Sequence, residues 1–291
     1  MTDLLSLELA LRLADGQQPD GRPVPRWWGE ATHRLAIQVI ASCDEDLARK
    51  LESSAGLKPF TASNLRGPIR DGTLDPNATY RLRLTALDRP VAQIFQAARR
   101  EGVLRAGAEV ELDYVRFQVK DEPALAHARS AGEAEEGLRG TTYQALTNSL
   151  FAPEPPPRKL TLQFVSPTVF KSESRPFPFP TPDLVFGSLL EHWNASSSIP
   201  TALPAEVRKY ARECMRLGRF DLHSRVVRLY GDVFRGFVGR VSFHAYTYDR
   251  YWMGMIAMLA RYAAYAGVGA KTTMGLGQCY LVAEPSAPAN S

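Results

Sequence analysis

The chain has 291 residues, 45% of them hydrophobic and 23% charged, with a formal net charge of +4. That composition supports packed cores and excludes a low-complexity or disordered chain, and the length suits two domains. The charge is uneven: residues 158–291 carry 16 Lys/Arg against 9 Asp/Glu, net +7, while residues 1–157 carry 19 against 22, net −3, which points to a polyanionic partner on the second half.

The first half opens with strict alternation, Leu5, Leu7, Leu9, Leu11 and Leu13 on one side and Ser6, Glu8, Ala10 and Arg12 on the other. That pattern predicts a half-buried strand. A helical stretch follows from about Trp28 through Leu51, broken near Ser42-Cys43-Asp44. Strands are expected around Lys58–Leu65, at Thr79–Leu87 and at Val110–Val119, with a helix over Pro90–Arg100 whose proline sits at a tolerated early position. Glu133, Glu135 and Glu136 lie in a Gly/Ala-rich polar segment that reads as exposed loop. Phe151–Pro157, FAPEPPP, has four prolines in seven residues, which rules out helix and central strand alike. We place the domain boundary there, giving domains 1–154 and 155–291.

The second half repeats the order. Strands are expected at Leu160–Val165, Leu222–Tyr230, Phe237–Tyr246 and Gln278–Ala283, and helices at Pro182–Trp193, with Thr181 as N-cap, and at Asp249–Tyr265. Two βαββαβ units in tandem predict an α+β fold of two ferredoxin-like domains, each an antiparallel sheet with helices on one face. Such sheets often hold single-stranded or hairpin RNA. Cys43, Cys214 and Cys279 match no metal or disulfide spacing, so a reduced, cytoplasmic protein is expected. No basic stretch precedes the first apolar residues, so no signal peptide is expected. The apolar run Tyr251–Ala260 is too short to span a bilayer.

Between the last helix and last strand lies AGVGAKTTMGLG, where Gly267, Gly269, Gly275 and Gly277 bracket Lys271, Thr272 and Thr273. A dinucleotide fingerprint or a P-loop needs strand, glycines, then helix; here the order is reversed, and Ala270 rather than glycine precedes Lys271. A nucleotide-cofactor enzyme is therefore disfavoured. Two readings stay open: an anion-binding nest of backbone N–H groups for a phosphodiester, or a helix C-cap and bulge that only packs the sheet.

These blocks resemble the CRISPR-associated repeat-RNA endoribonucleases of the RAMP superfamily. The similarity is carried by the glycine loop, by LARYAAYAG before it, and by GFVGRVSFH, FVSPTVF and PFPFPTPDLVFGSLLEHWN. In the first half DEDLARKL, KPFTASNL and RGTTYQAL carry it. The resemblance implies cleavage of precursor CRISPR transcripts without metal or cofactor: a ribose 2′-hydroxyl attacks the adjacent phosphate, leaving a 2′,3′-cyclic phosphate and a 5′-hydroxyl. It implies repeat RNA as partner, with other CRISPR effector subunits as further candidates, and a monomer or homodimer.

The same resemblance puts a catalytic lysine at Lys58, whereas the position of the family's usual histidine holds Glu52. His33, at the start of the first long helix, is the candidate acid or base near it. The alternative function is a repeat-RNA-binding subunit with weak or no cleavage, motivated by Glu52. RNA-binding candidates are Gly267, Gly269, Lys271, Thr272, Gly275 and Gly277 of the loop, with Lys171 and Arg175 after FVSPTVF. Arg208, Arg212, Arg216 and Arg219 recur every three or four residues and would line one helical face with Lys209, Arg225 and Arg228 nearby. His223 and His244 are expected to be structural, His192 and His127 incidental.

Overall fold

The computed structural model describes residues 2–14, 23–122, 138–172, 175–199 and 201–282. The first half contains β1 (Leu4–Leu13), α1 (Gly29–Ala41), α2 (Glu45–Ser53), β2 (Phe60–Ala62), the small hairpin β3 (Ile69–Arg70) and β4 (Thr73–Leu74), β5 (Tyr80–Ala86), α3 (Arg89–Arg100), β6 (Glu109–Leu112), β7 (Val115–Lys120), β8 (Leu138–Thr141) and α4 (Tyr143–Asn148). The second contains β9 (Lys159–Thr168), the hairpin β10 (Phe170–Ser172) and β11 (Arg175–Phe177), α5 (Pro182–Ser196), α6 (Pro204–Cys214), β12 (Met215–Leu229), β13 (Asp232–Ala245), α7 (Arg250–Ala266) and β14 (Cys279–Leu281).

The first sheet runs β2-β5-β1-β7-β6 and the second β12-β13-β9-β14, all pairs within them antiparallel. Each sheet thus places its first strand centrally, between the third and fourth of its βαββαβ unit. The expected α+β class and the two ferredoxin-like sheets are what the chain forms.

Local chemistry accounts for the elements. The break expected at Ser42-Cys43-Asp44 separates α1 from α2, because Asp44 caps α2 by accepting the Leu47 N–H at 2.9 Å. Asp88 caps α3 in the same way through Val91, with Pro90 in the first turn. Thr181 occupies the N-cap position of α5, but its side chain makes no capping bond. The strand expected over Val110–Val119 is instead the hairpin β6–β7: Asp113 takes a left-handed conformation, φ 54°, which aspartate tolerates, and the chain reverses there. β12 and β13 are longer than expected because Tyr230 and Gly231, both with positive φ, close a two-residue turn that lets the strands pair almost to their tip. The acidic segment at Glu133, Glu135 and Glu136 falls outside the described residues; just after it, β8 joins the first sheet beside β1.

β1 departs from the half-buried expectation. Leu5, Leu7, Leu9 and Leu11 enter a core with α1 and α3, but the opposite face is covered as well. Glu8 is 7% exposed and lies between Arg66 and Arg81, at 3.8 and 3.6 Å. The cover comes from the second half, whose helix α7 contacts β1, β2 and β5. Polar bonds cross there too. Thr61 and Thr85 share a 2.6 Å hydroxyl contact, and Thr85 donates to the Tyr265 carbonyl at 2.7 Å. Tyr143 donates to the Leu87 carbonyl at 2.6 Å and stacks edge-on to Trp193. Half-buried Arg83 donates to the Gln278 side chain at 3.1 Å, and desolvation lowers its guanidinium to about 10, with nearby Arg66 adding to that.

Thr85→Val keeps the shape but leaves the Tyr265 carbonyl unpartnered in a dry seam. Denaturant unfolding is expected to show a loss of about 1–3 kcal/mol; an unchanged midpoint would remove this seam from the forces joining the halves.

Candidate active site

The glycine loop after α7 docks on the first half at α1 and β2. Gly267 leaves the helix at φ 65°, and Lys271 and Gly275 flank a short 3-10 turn, Thr272–Met274, in left-handed conformations of φ 60° and 88°. The turn lies against α1 and β2. Trp27 Nε1 donates to the Met274 carbonyl at 2.9 Å, and Gly275 bridges to Ser63 in the parallel sense, extending the line of β2. A methyl group on Gly275 would stand 2.8 Å from the Asn64 nitrogen and 2.9 Å from the Trp27 ring. Asn64 in turn accepts the Trp28 N–H at 2.7 Å. A small apolar cluster seals the joint: Val169, Val227, Leu229 and Leu276, with Trp27 and Met274 against them.

This docking answers the question the glycines raised. The N–H groups of Gly267, Val268, Gly269, Ala270, Met274, Leu276 and Gly277 all bond to acceptors within the protein. The nest expected at Gly267, Gly269 and Gly277 is therefore filled by the chain itself, and positive φ with close backbone approach explains the glycines. Thr272 is 5% exposed, its methyl lodged between Gly267 and Gly277. Lys271 is the exposed residue of the turn.

Three groups from the first half meet this turn. His33, on α1, lies over Phe60 with ring centroids 5.6 Å apart. Its pKa is lowered from the usual 6.5, chiefly by burial and further by the charges of Lys58 and Lys271; a backbone hydrogen bond to Thr273 and the Glu52 carboxylate oppose the shift. Glu52 is exposed on the last turn of α2. The Lys58 ammonium reaches back to the carbonyls of Leu51 and Ser54, the latter at 3.0 Å. Burial lowers its pKa from 10.5, with Glu52 opposing. The structure thus brings His33, Glu52, Lys58 and Lys271 into one electrostatic neighbourhood. A neutral imidazole between two ammonium groups can take a proton while the cations stabilise developing negative charge. The His33 Nδ1 atom is buried without a partner, so the bond to the Thr273 backbone, which favours the protonated ring, is made by Nε2.

Other candidates lie elsewhere. Lys171 and Arg175 are exposed on the β10–β11 hairpin, which starts beside the loop where Ala270 donates to the Val169 carbonyl at 2.9 Å. The expected arginine face is interrupted, because α6 ends at Cys214 and places Arg216 and Arg219 on β12. Arg208 pairs with Glu191 at 2.6 Å, and Arg212 with Asp183 at 3.4 Å. Arg216 bonds the carbonyls that end α6 and lies over the Tyr246 ring at 5.6 Å. These arginines are spent largely on their own domain. His223 and His244 are exposed on the β12–β13 ribbon rather than built into a core. His127 lies outside the described residues. His192, expected to be incidental, is buried beside Gly269. The sequence reading also missed Phe60 and the Thr273 backbone. Phe60 sits two residues after Lys58 in a quoted block, a signal that was available; the Thr273 contact depends on docking and had none.

No group of three or more His, Cys, Asp or Glu suited to a metal occurs among the described residues, and no helix among them is long and apolar enough to cross a membrane.

The family model of the CRISPR-associated endoribonuclease Cas6 matches residues 162–279. A Cas6 endoribonuclease of Mycobacterium tuberculosis is 28% identical over 139 residues, 48% of this chain and 43% of the relative. One of Streptococcus thermophilus is 26% identical over 117 residues, 39% of this chain and 46% of the relative. Those matches span less than half the length of the curated relatives. A solved Cas6 product complex superposes with a TM-score of 0.72 at 25% identity, covering 97% of this chain and 100% of that one. Thermus thermophilus Cas6 gives 0.65 at 25% identity, covering 97% and 99%. The resemblance read from the quoted blocks is borne out.

Gly275→Ala combines a positive φ with a blocked Cβ position. It is expected to cost about 1–3 kcal/mol in denaturant unfolding, and a loss below about 0.5 kcal/mol, the range of neutral surface changes, would contradict the docking described.

Proposed function

We propose that this chain, a member of the Cas6 family of CRISPR-associated endoribonucleases, binds CRISPR repeat RNA and cuts it by 2′-hydroxyl attack without a metal. The observation that carries this reading is the convergence of His33, Lys58 and Glu52 from the first half with Lys271 and the Thr273 backbone from the second. The division into domains 1–154 and 155–291 belongs to the same proposal: each half supplies part of the site.

The neutral His33 imidazole accepts the proton of the 2′-hydroxyl. The 2′ oxygen bonds to phosphorus, and the bond from phosphorus to the 5′ oxygen breaks. Lys58 and Lys271 stabilise the phosphorane, and Lys58, made a better acid by burial, delivers a proton to the leaving 5′ oxygen. Glu52 steadies the imidazolium that forms. A positioned acid or base of this kind contributes about 10²–10⁴-fold. Lys171 and Arg175 are the candidates for gripping the RNA backbone beside the loop. A second reading, a repeat-RNA-binding subunit with weak cleavage, is favoured by Glu52 standing where the family's histidine is expected and by Lys58 being bonded to carbonyl oxygens.

Incubating the protein with repeat RNA in EDTA separates the two. Cyclic-phosphate ends are expected, whereas tight binding with intact RNA would establish the second reading. His33→Ala is expected to slow single-turnover cleavage by about 10²–10⁴-fold with RNA affinity retained. Lys58→Ala should likewise lower cleavage far more than binding; equal losses would move Lys58 to RNA grip.

The pH profile follows from the sign of the His33 shift. The base must be neutral, and a pKa lowered from 6.5 keeps it neutral at pH 7. Cleavage should therefore hold down to pH 6.5 and fall only below it. A limb centred above 6.5 would point to another base.

A further inference from the structure

Ser188 and His192 lie one turn apart on α5, and both are buried, at 7% and 4% exposure. Buried polar side chains are nearly always partnered, and both of these find the same residue. The Ser188 hydroxyl accepts the Gly269 N–H at 2.9 Å. His192 makes a backbone hydrogen bond to Gly269 of the kind that favours a protonated ring, so an imidazole N–H donates to the carbonyl. Its Nδ1 is buried without a partner. The donor is then Nε2, and the ring is the neutral tautomer carrying its proton there.

Gly269 is held closely on its other side. Its φ is 81°, a Cβ would stand 2.5 Å from the Val169 carbonyl oxygen, and the next N–H, of Ala270, donates to that oxygen. The other bonds of the loop tie it to its own sheet, Gly277 to Pro167 and Val268 to Gly277, or to the first half through Trp27 and Ser63. At Gly269 helix α5 reaches into the loop with side chains, as α1 does with His33 at Thr273. The next residues are Lys271, in its left-handed conformation, and Thr273, which meets His33.

We propose that Ser188 and His192 are positioning residues: they clamp Gly269 from α5 and so fix the register in which Lys271 and Thr273 face His33. The proposal rests on His33 being the base of the cleavage reaction. Neither residue reaches the reacting atoms.

The test uses the full chain with His192→Leu, Ser188→Ala and His192→Gln, the last keeping an N–H donor near the place of Nε2. The first readout is the His33 titration in the free protein by NMR. The Thr273 bond raises the His33 pKa against burial and the charges of Lys58 and Lys271, with Glu52 acting in the same sense as Thr273. Displacing the loop removes the Thr273 bond together with the Lys271 charge and part of the burial, so the titration, and with it the acid limb of cleavage, should move. The second readout is single-turnover cleavage beside RNA affinity and thermal stability. His192→Leu is expected to cut the rate by about 10-fold or more, as small misplacements do, with affinity changed by less than about threefold. His192→Gln should recover the rate.

An unchanged His33 titration and rate in folded His192→Leu would overturn the proposal. So would parallel losses of rate, affinity and stability that His192→Gln does not repair, since those describe fold support alone. If His192→Leu does not fold, Ser188→Ala decides by the same readouts. If the unsubstituted protein does not cut RNA, the functional reading fails, and the His33 titration still decides whether the clamp exists.

Discussion

The seating of the 3-10 turn Thr272–Met274 against α1 and β2 is the contact on which the rest of the structure depends. Five of the eight positive-φ residues described in the second half lie in the loop that carries it. Left-handed conformations at Lys271 and Gly275 bend the chain tightly enough to enter the gap between Trp27, Asn64 and Ser63. Most of the loop's amides, those of Gly267, Gly269 and Gly277 among them, are paired within the protein. A loop that looks built for a ligand is thus largely consumed in joining two domains, and its chemical contribution is what it presents at the far side: one exposed ammonium and one backbone contact to His33.

The joint also explains how ordinary side chains acquire useful properties. His33 would titrate near its usual value on an exposed helix. Pressed between Phe60 and the turn, with two ammonium groups in range, it stays neutral at lower pH. Lys58 loses hydration in the same place. The His33 shift draws on both halves, because Lys271 and Thr273 arrive from the other end of the chain. The hydroxyl relay from Thr61 through Thr85 to Tyr265, and the Arg83–Gln278 contact, hold the halves in the alignment that this requires.

Much of the architecture was legible in the sequence. The strand and helix order of both halves could be read because alternation and helical spacing are local, and Asp44 and Asp88 mark helix starts by chemistry that needs no partner. β1 was misread for the opposite reason: its polar face is buried by α7, more than two hundred residues away, and no local pattern reports that. The arginine series misled because spacing alone cannot tell where α6 stops; Pro204–Cys214 is helix, and Met215 already begins β12. At the site, His33, Glu52 and Lys58 could be named from their blocks, whereas their meeting with Lys271 and Thr273 could not.

The most direct test is a crystal structure of the protein with a repeat RNA carrying 2′-deoxyribose at the scissile nucleotide, which stops the attack before it starts. The scissile phosphate should lie beside the glycine turn, with the ribose 2′ position within about 2.6–3.2 Å of hydrogen-bonding reach of the His33 imidazole once the hydroxyl is restored, and with Lys58 and Lys271 around the phosphate. A scissile phosphate seated elsewhere, on the β12–β13 ribbon for instance, with His33 remote from the RNA, would contradict it.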